Sequence, residues 1–163
     1  MHKIYIKSFV TFFILFSFSN AEIVNKIEIN GNKRISNETI QVLGKISLNE
    51  DLTNEDLNIS LKKLYETNFF KDLKMSLENN ILKIDVLENP IIEDIEISGI
   101  KNKSLLTFIK DNMNLKNRKS FTDKDLDQDI NRIKNILKST GYYFAKVDSS
   151  FQKNDQLNSI RLK

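Results

Sequence analysis

The stretch KIEING, residues 26–31, returns as DIEISG at residues 94–99. The 163-residue chain contains only four glycines, and two of them, Gly31 and Gly99, end these stretches 68 residues apart. Isoleucines that alternate with polar residues indicate a strand with one buried face. A strand that ends in glycine at both places predicts that the chain builds one small unit twice.

The order of patterns in the first copy predicts strand, helix, helix, strand, strand. Thr53 and Asp56 have the spacing of an aspartate version of the capping box, which predicts the start of the second helix. The apolar period then changes to two in residues 73–77, which indicates a strand. Residues 78–80, Glu-Asn-Asn, suit a tight hairpin because asparagine tolerates positive φ, and residues 82–86 form the returning strand.

The second copy repeats this order with an informative shift. TNEDL at residues 53–57 matches TDKDL at 122–126, 69 positions later, whereas LYET at 64–67 matches LKST at 137–140, 73 positions later. The four added residues lie within the second helix and amount to about one helical turn. They therefore lengthen the apolar stripe without rotating it off the core. The stripe consists of Leu126, Ile130, Ile133 and Leu137.

In both copies the second helix ends in the same way. Asn68 and Gly141 follow the helices, and these residue types occupy the left-handed region that often ends a helix. Aromatic pairs come next, at residues 69–70 and 142–143. We expect these rings to cap the core where helix becomes strand; the alternative is an aromatic pair that binds a ligand.

The amino-terminal residues have the layout of a secretory signal peptide. Lys3 and Lys7 precede an apolar run at residues 8–18, and small residues at 19–21 predict cleavage after Ala21. The apolar run is shorter than the roughly 20 residues that cross a bilayer as a helix, so an uncleaved anchor is the weaker alternative. The predicted division is a signal peptide at residues 1–21, a first unit at residues 22–89 and a second unit at residues 90–163. We expect the second unit to stop at or near its last strand.

The composition excludes several kinds of chemistry. The chain has no cysteine, and its single histidine, His2, lies in the predicted signal peptide. Catalytic triads, thiol nucleophiles and zinc sites are thereby excluded, and we predict no metal and no cofactor. Removal of residues 1–21 lowers the formal net charge from +3 to +1, which gives no reason to expect nucleic-acid binding. The aspartates at 123, 125 and 127 resemble a calcium loop, but Gln128 and Lys134 stand where glycine and glutamate are needed.

Four stretches together resemble a known family. VLENPII at residues 86–92, followed by residues 95–99, is similar to the junction between consecutive POTRA (polypeptide-transport-associated) domains. Residues 64–73 and 137–147 resemble the helix-to-strand signature of that domain. The resemblance covers essentially all of the chain after residue 21.

The resemblance implies both a fold and a role. The fold is α+β: two tandem POTRA domains, each β-α-α-β-β, with a three-stranded mixed sheet covered on one face by two helices. The role is a periplasmic binding and scaffolding module of an outer-membrane β-barrel assembly factor, without enzymatic activity. Its partners would be unfolded outer-membrane proteins and accessory lipoproteins, and it would meet the membrane only through a carboxyl-terminal barrel absent from these residues. We expect export to the periplasm, at the outer membrane of a Gram-negative-type bacterium.

The physical basis of such a role is the sheet edge. An open three-stranded sheet leaves backbone groups unpaired at both edges, and an extended segment can bind there as an added strand. The resemblance implies that the second strand of each unit is the receiving edge. The alternative is that exposed lysines simply keep these strands solvated. The implied peptide-binding residues are Leu73, Lys74, Met75, Ser76, Leu77, Lys146, Val147, Asp148, Ser149 and Ser150.

Five residues are predicted to have structural roles at turns and at the joint between units. Pro90 is the only proline, and at the start of a strand its missing donor does no harm while its fixed φ stiffens the joint. The five residues are Gly31, Asn68, Pro90, Gly99 and Gly141.

Two other functions remain open at this point. A two-partner secretion transporter shares the same domain, but usually places a proline-rich plug segment before it. A periplasmic hydrolase could take a carboxylate pair from the 22 acidic residues, but it would need a pocket between thin layers of sheet and helix.

Overall fold

The computed structural model describes residues 22–163. The predicted signal peptide and the cleavage position after Ala21 lie outside these residues. No helix in the described part has both the length and the apolar character needed to cross a membrane. The elements in chain order are β1 Glu22–Ile23, β2 Lys26–Asn30, α1 Asn37–Gly44, β3 Asp51–Leu52, α2 Asn54–Glu66, β4 Phe70–Glu78, β5 Ile81–Glu88, β6 Ile91–Ile95, α3 Lys103–Asn112, α4 Asp123–Ser139, β7 Phe151–Asn154 and β8 Ser159–Leu162.

Each unit contains a three-stranded mixed sheet with its last strand in the middle. In the first unit the strand order is β2-β5-β4, with β5 parallel to β2 and antiparallel to β4. In the second unit the order is β6-β8-β7, with the same two directions of pairing. The predicted α+β fold of two β-α-α-β-β units is confirmed. A short pair between β1 and β3 is an addition that the sequence patterns did not predict.

Local signals in the first unit form as the sequence predicts. Thr53 and Asp56 make the reciprocal capping box at the start of α2, and the Thr53 hydroxyl and N–H lower the pKa of the Asp56 carboxyl. Asn79 and Asn80 both have positive φ in the two-residue turn between β4 and β5. Asn68, just past α2, has φ of 58°. The cap, the helix end and the turn fix where these elements begin and end, and the apolar faces of α1, α2 and the sheet pack into one core. Its buried residues are Val24, Ile40, Ile46, Leu52, Leu57, Leu64, Phe70, Leu73, Leu82, Ile84 and Val86.

The second helix of the second unit carries its insertion without losing its apolar face. The helix α4 has 17 residues and its counterpart α2 has 13, as the four-residue shift predicts. Ile133 and Leu137 are buried, and Leu126 packs partly buried against the core. Gly141 follows the helix with φ of 96°.

The structure corrects one prediction: the strand expected at residues 146–150 does not form. These residues are irregular, and β7 begins at Phe151. The pairing register explains the difference: Phe151 pairs with Leu162, and each step back along β7 requires a partner one step further along β8. The N–H groups and carbonyls of Ser150 and Lys163 still bond each other, at 2.8 and 2.9 Å. Residues 146–149 would need partners beyond Lys163.

The expectation that both aromatic pairs cap the core holds for one ring only. Phe70 is buried at 3% exposure, and Phe69 meets it edge to face with ring centroids 6.4 Å apart. Tyr142 and Tyr143 are exposed at 54% and 67%. The second pair stays outside because the segment after it does not join the sheet.

A buried carboxylate ties the end of β5 to the loop after β2. The Glu88 side chain is 1% exposed and accepts hydrogen bonds from the backbone N–H groups of Lys33, Arg34 and Ile35. The Arg34 guanidinium adds an ion pair at 3.2 Å and donates to the Asn89 carbonyl at 2.9 Å. The LEN sequence before Pro90 therefore anchors the joint in the first unit.

We predict that Glu88→Ala lowers the free energy of unfolding by at least about 3 kcal/mol, because it leaves three backbone donors and a guanidinium without their acceptor. Urea unfolding of the purified protein measures the change. Glu78→Ala, at an exposed position of β4, is the matched control and should change stability by less than about 0.5 kcal/mol. Equal effects of the two variants would contradict the anchoring role.

Candidate functional site

The β4 strand forms one edge of the first sheet along its whole length. Its nine residues pair with β5 on one side, with one irregularity between Phe70 and Asp72. In the described part of the chain no strand pairs with the other side. All five predicted peptide-binding residues of the first unit, residues 73–77, lie on this edge.

The hydrogen bonds of Leu73 reveal which main-chain groups point away from the sheet. The Leu73 N–H donates to the Tyr65 hydroxyl oxygen at 3.1 Å, and this hydroxyl lies 3.4 Å from the Leu73 carbonyl oxygen. The main-chain groups of Leu73 therefore face outward and not toward β5. The direction of the main-chain N–H and C=O groups alternates along an antiparallel strand. The main-chain groups of Met75 and Leu77 therefore also point away from β5, whereas those of Lys74 and Ser76 bond β5.

Tyr65 is a site residue that sequence reasoning missed. It projects from α2 and its hydroxyl occupies the first of the three outward positions on β4, with Asp72 Oδ1 also 3.4 Å away. The available edge is thereby reduced to the backbone of Met75 and Leu77. The one signal in the sequence is that Lys138 replaces this tyrosine in the second unit.

The side chains of β4 divide the strand into two faces. Leu73 is buried, and Met75 and Leu77 are half-buried against the first core. Lys74 and Ser76 are exposed on the opposite face. A strand added at this edge would find apolar surface on the helix side and water on the other.

The predicted site residues of the second unit do not form an equivalent edge. Residues 146–149 precede β7, and Ser150 bonds Lys163. The edge strand of this sheet is β7, Phe151–Asn154, whose four residues are all exposed. The two predicted stretches belong to separate sheets and do not come together as one site. Pro90 lies at the joint, where its carbonyl accepts from the Phe121 N–H at 2.8 Å.

A cavity of about 530 Å³ lies in the second unit. Its lining is mainly aliphatic, and its one deeply buried carboxylate belongs to Asp129. Both oxygens of Asp129 accept from backbone N–H groups, those of Asn114 and Leu115, at 2.8 Å. Asp129 thus holds the loop after α3 and is not one of a pair of free carboxylates.

We predict that Tyr65→Phe accelerates hydrogen exchange of the Leu73 amide about 2- to 10-fold, because it removes one hydrogen bond of ordinary strength. Amide exchange followed by NMR measures the rate. The Lys74 amide, which bonds β5, is the internal control and should be unchanged. Exchange of Leu73 at the original rate would mean that the Asp72 carboxylate, 3.0 Å from this N–H, protects it alone.

Comparisons with known proteins place this arrangement in a family. A POTRA family model, described as "Surface antigen variable number repeat", matches residues 90–163. The outer membrane protein assembly factor BamA of Neorickettsia risticii (strain Illinois) is 33% identical over 53% of this chain and 12% of its own length. BamA of Buchnera aphidicola subsp. Acyrthosiphon pisum (strain APS) is 30% identical over 80% of this chain and 24% of its own length.

A solved structure supports the fold. The N-terminal domain of Omp85 from the thermophilic cyanobacterium Thermosynechococcus elongatus matches with a TM-score of 0.50 at 11% identity, over 86% of this chain and 60% of that structure. The chain spans less than a quarter of the length of each of the two BamA relatives described above. The strand order, the family model and the relatives agree: residues 90–163 belong to the POTRA-domain family, and residues 22–89 have the same strand order.

Proposed function

We propose that this chain is a periplasmic receiving and scaffolding module in the assembly of outer-membrane β-barrel proteins. It binds extended segments of unfolded outer-membrane proteins by adding them as a strand to the β4 edge. The observation that carries this proposal is the free, outward-facing backbone at Met75 and Leu77, beside an apolar surface.

Strand addition suits a receptor for many different polypeptides. Affinity comes from main-chain hydrogen bonds, which every sequence can make, and the half-buried side chains of β4 favour apolar residues at alternate positions. Strands of membrane β-barrels have this alternation, since one face meets lipid and the other the lumen. The edge therefore selects a class of segments and not one sequence.

Charges on β4 limit unwanted pairing. Lys71 and Lys74 are exposed, and lysines on an edge strand discourage association of two copies through that edge. A transient segment can still bind, because Met75 and Leu77 leave the helix-side face of the edge uncharged. This combination fits a surface that binds passing segments and releases them.

The place of action follows from the relatives and the amino-terminal pattern. Both relatives are named outer membrane protein assembly factors, and residues 1–21 have the layout of a cleaved signal peptide. The module would therefore work in the periplasm of a Gram-negative-type bacterium, at the outer membrane. Accessory lipoproteins of the assembly machinery are its proposed protein partners.

We predict that Met75→Pro weakens capture of a barrel-strand peptide about tenfold, because proline removes an outward N–H and its ring blocks close approach of the added strand. A photoreactive residue at position 71 and a synthetic peptide with alternating apolar residues provide the crosslinking assay. Far-UV circular dichroism should be unchanged, since the lost N–H bonds nothing in β5.

Met75→Ala is the matched control, because it shortens the same side chain and keeps the N–H. It should lose much less crosslinking than Met75→Pro, because it removes only part of the apolar side chain. Ser76→Pro is the contrasting variant: its N–H belongs to the ladder with β5, so stability itself should fall. Undiminished crosslinking of a folded Met75→Pro protein would remove strand addition at β4 from the proposed function.

A further inference from the structure

Tyr65 closes the free edge of β4 at one end. Its hydroxyl accepts from the Leu73 N–H at 3.1 Å and lies 3.4 Å from the Leu73 carbonyl oxygen. One atom thus engages both main-chain groups of Leu73, as the opposite residue of an added antiparallel strand would do. The ladder is also irregular just before this point, between Phe70 and Asp72. An added strand therefore ends at Tyr65.

The turn between β4 and β5 closes the other end of the edge. The Asn80 N–H donates to the Glu22 carboxylate, and the Asn80 side chain donates to the Ile23 carbonyl at 2.7 Å. The segment before β2 thus lies against the turn. Between the two closed ends, the main chain of Met75 and Leu77 is free, and we refer to these two residues as the window.

The window holds two bonding positions. In an antiparallel ladder, one residue of the added strand exchanges both main-chain bonds with the residue directly opposite. A segment can therefore pair with Met75 and with Leu77 and make four hydrogen bonds within the window. A shift of two residues in either direction would lose one of these pairs, because the edge is closed beyond them. The window thus fixes the register of the segment.

The helix side of the window is apolar. Residues directly opposite each other on neighbouring strands point to the same face of a sheet. Residues opposite Met75 and Leu77 therefore point to the side where these two side chains are half-buried against the first core. Leu61, one helical turn before Tyr65, is also partly buried against this core. The segment should therefore carry two apolar residues, two positions apart.

The outer face of β4 carries opposite charges beside the two ends of the window. Lys74 lies beside one end and Glu78 beside the other, and both are exposed. Within residues 22–163 neither side chain forms an ion pair. Asp85, across from Lys74 on β5, accepts from the Asn30 side chain at 3.1 Å. Because opposite charges directly across a sheet stabilise pairing, the segment should be acidic opposite Lys74 and basic opposite Glu78.

We propose that the window selects a five-residue extended segment in one register and in antiparallel orientation. From its amino end the segment has a basic residue, an apolar residue, any residue, a second apolar residue and an acidic residue. Tyr65 determines where pairing ends. Antiparallel pairing makes all its bonds within the window and is slightly more stable than parallel pairing. This inference rests on the proposed function and adds the length, orientation and charge pattern of the bound segment.

Two acetylated and amidated peptides of equal composition test the orientation: Lys-Val-Thr-Val-Glu and its reverse, Glu-Val-Thr-Val-Lys. Titration of the purified protein, followed by NMR at the Met75 and Leu77 amides, measures both affinities. The first peptide should bind about fivefold tighter or more, because the reverse order places like charges opposite Lys74 and Glu78 in the antiparallel register. The double variant Lys74→Glu with Glu78→Lys keeps the net charge and should reverse this preference.

A longer peptide, Lys-Val-Thr-Val-Glu-Val-Thr, tests the role of Tyr65. It should bind the unsubstituted protein within about twofold of the five-residue peptide, because its added residues meet Tyr65. In Tyr65→Ala it should bind about three- to tenfold tighter than the five-residue peptide, because the Leu73 carbonyl becomes free and its N–H retains only Asp72 as a side-chain partner. Tyr65→Lys, with the residue type that the second unit has at position 138, should give the same gain. Glu66→Ala, at the next exposed position of α2, is the matched control and should give none.

The outcomes separate this inference from the proposed function. Equal binding of the two five-residue peptides would overturn the orientation, as would an unchanged preference in the double variant. Tighter binding of the longer peptide to the unsubstituted protein, or no gain in either Tyr65 variant, would overturn the role of Tyr65. Peptides that bind Met75 and Leu77 without regard to order or length would leave the edge function intact and remove its selectivity. If no peptide shifts these amides, the window and the edge function both fail.

Discussion

The arrangement of both units depends on one pairing constraint: the last strand lies between the first and the second. In the first unit β5 bonds β2 in parallel and β4 antiparallel, so the sheet interior is complete only when β5 has its full length. The second strand must then lie at an edge, with one side of its backbone free. The free edge is thus a consequence of the topology, and its use for strand addition needs no special residue beyond apolar neighbours.

Within residues 22–163 the two units differ in the length of the central strand. In the first, β5 has eight residues, Val86 closes the core, and Glu88 fastens the strand end to the loop after Gly31. In the second, β8 has four residues and the core is divided.

Sequence patterns predicted the parts of this structure that depend on local chemistry. The capping box at Thr53, the positive φ of Asn68 and the four-residue lengthening of α4 each depend on neighbouring residues alone. The strand expected at residues 146–150 depended on long-range pairing, and its partner positions fall beyond Lys163. For the same reason β6 ends at Ile95, although the alternation continues to Ile97. Tyr65 escaped prediction because its contact with Leu73 joins two elements.

Residue-resolved hydrogen exchange along β4 tests most directly whether the strand has a free backbone edge. With the protein alone, the amides of Lys74 and Ser76 should be strongly protected, while those of Met75 and Leu77 exchange at rates near those of an unfolded chain. Addition of a barrel-strand peptide should slow exchange at Met75 and Leu77 and leave Lys74 and Ser76 unchanged. Uniform protection of all four amides in the free protein, or no response to the peptide, would contradict an edge that receives extended chains.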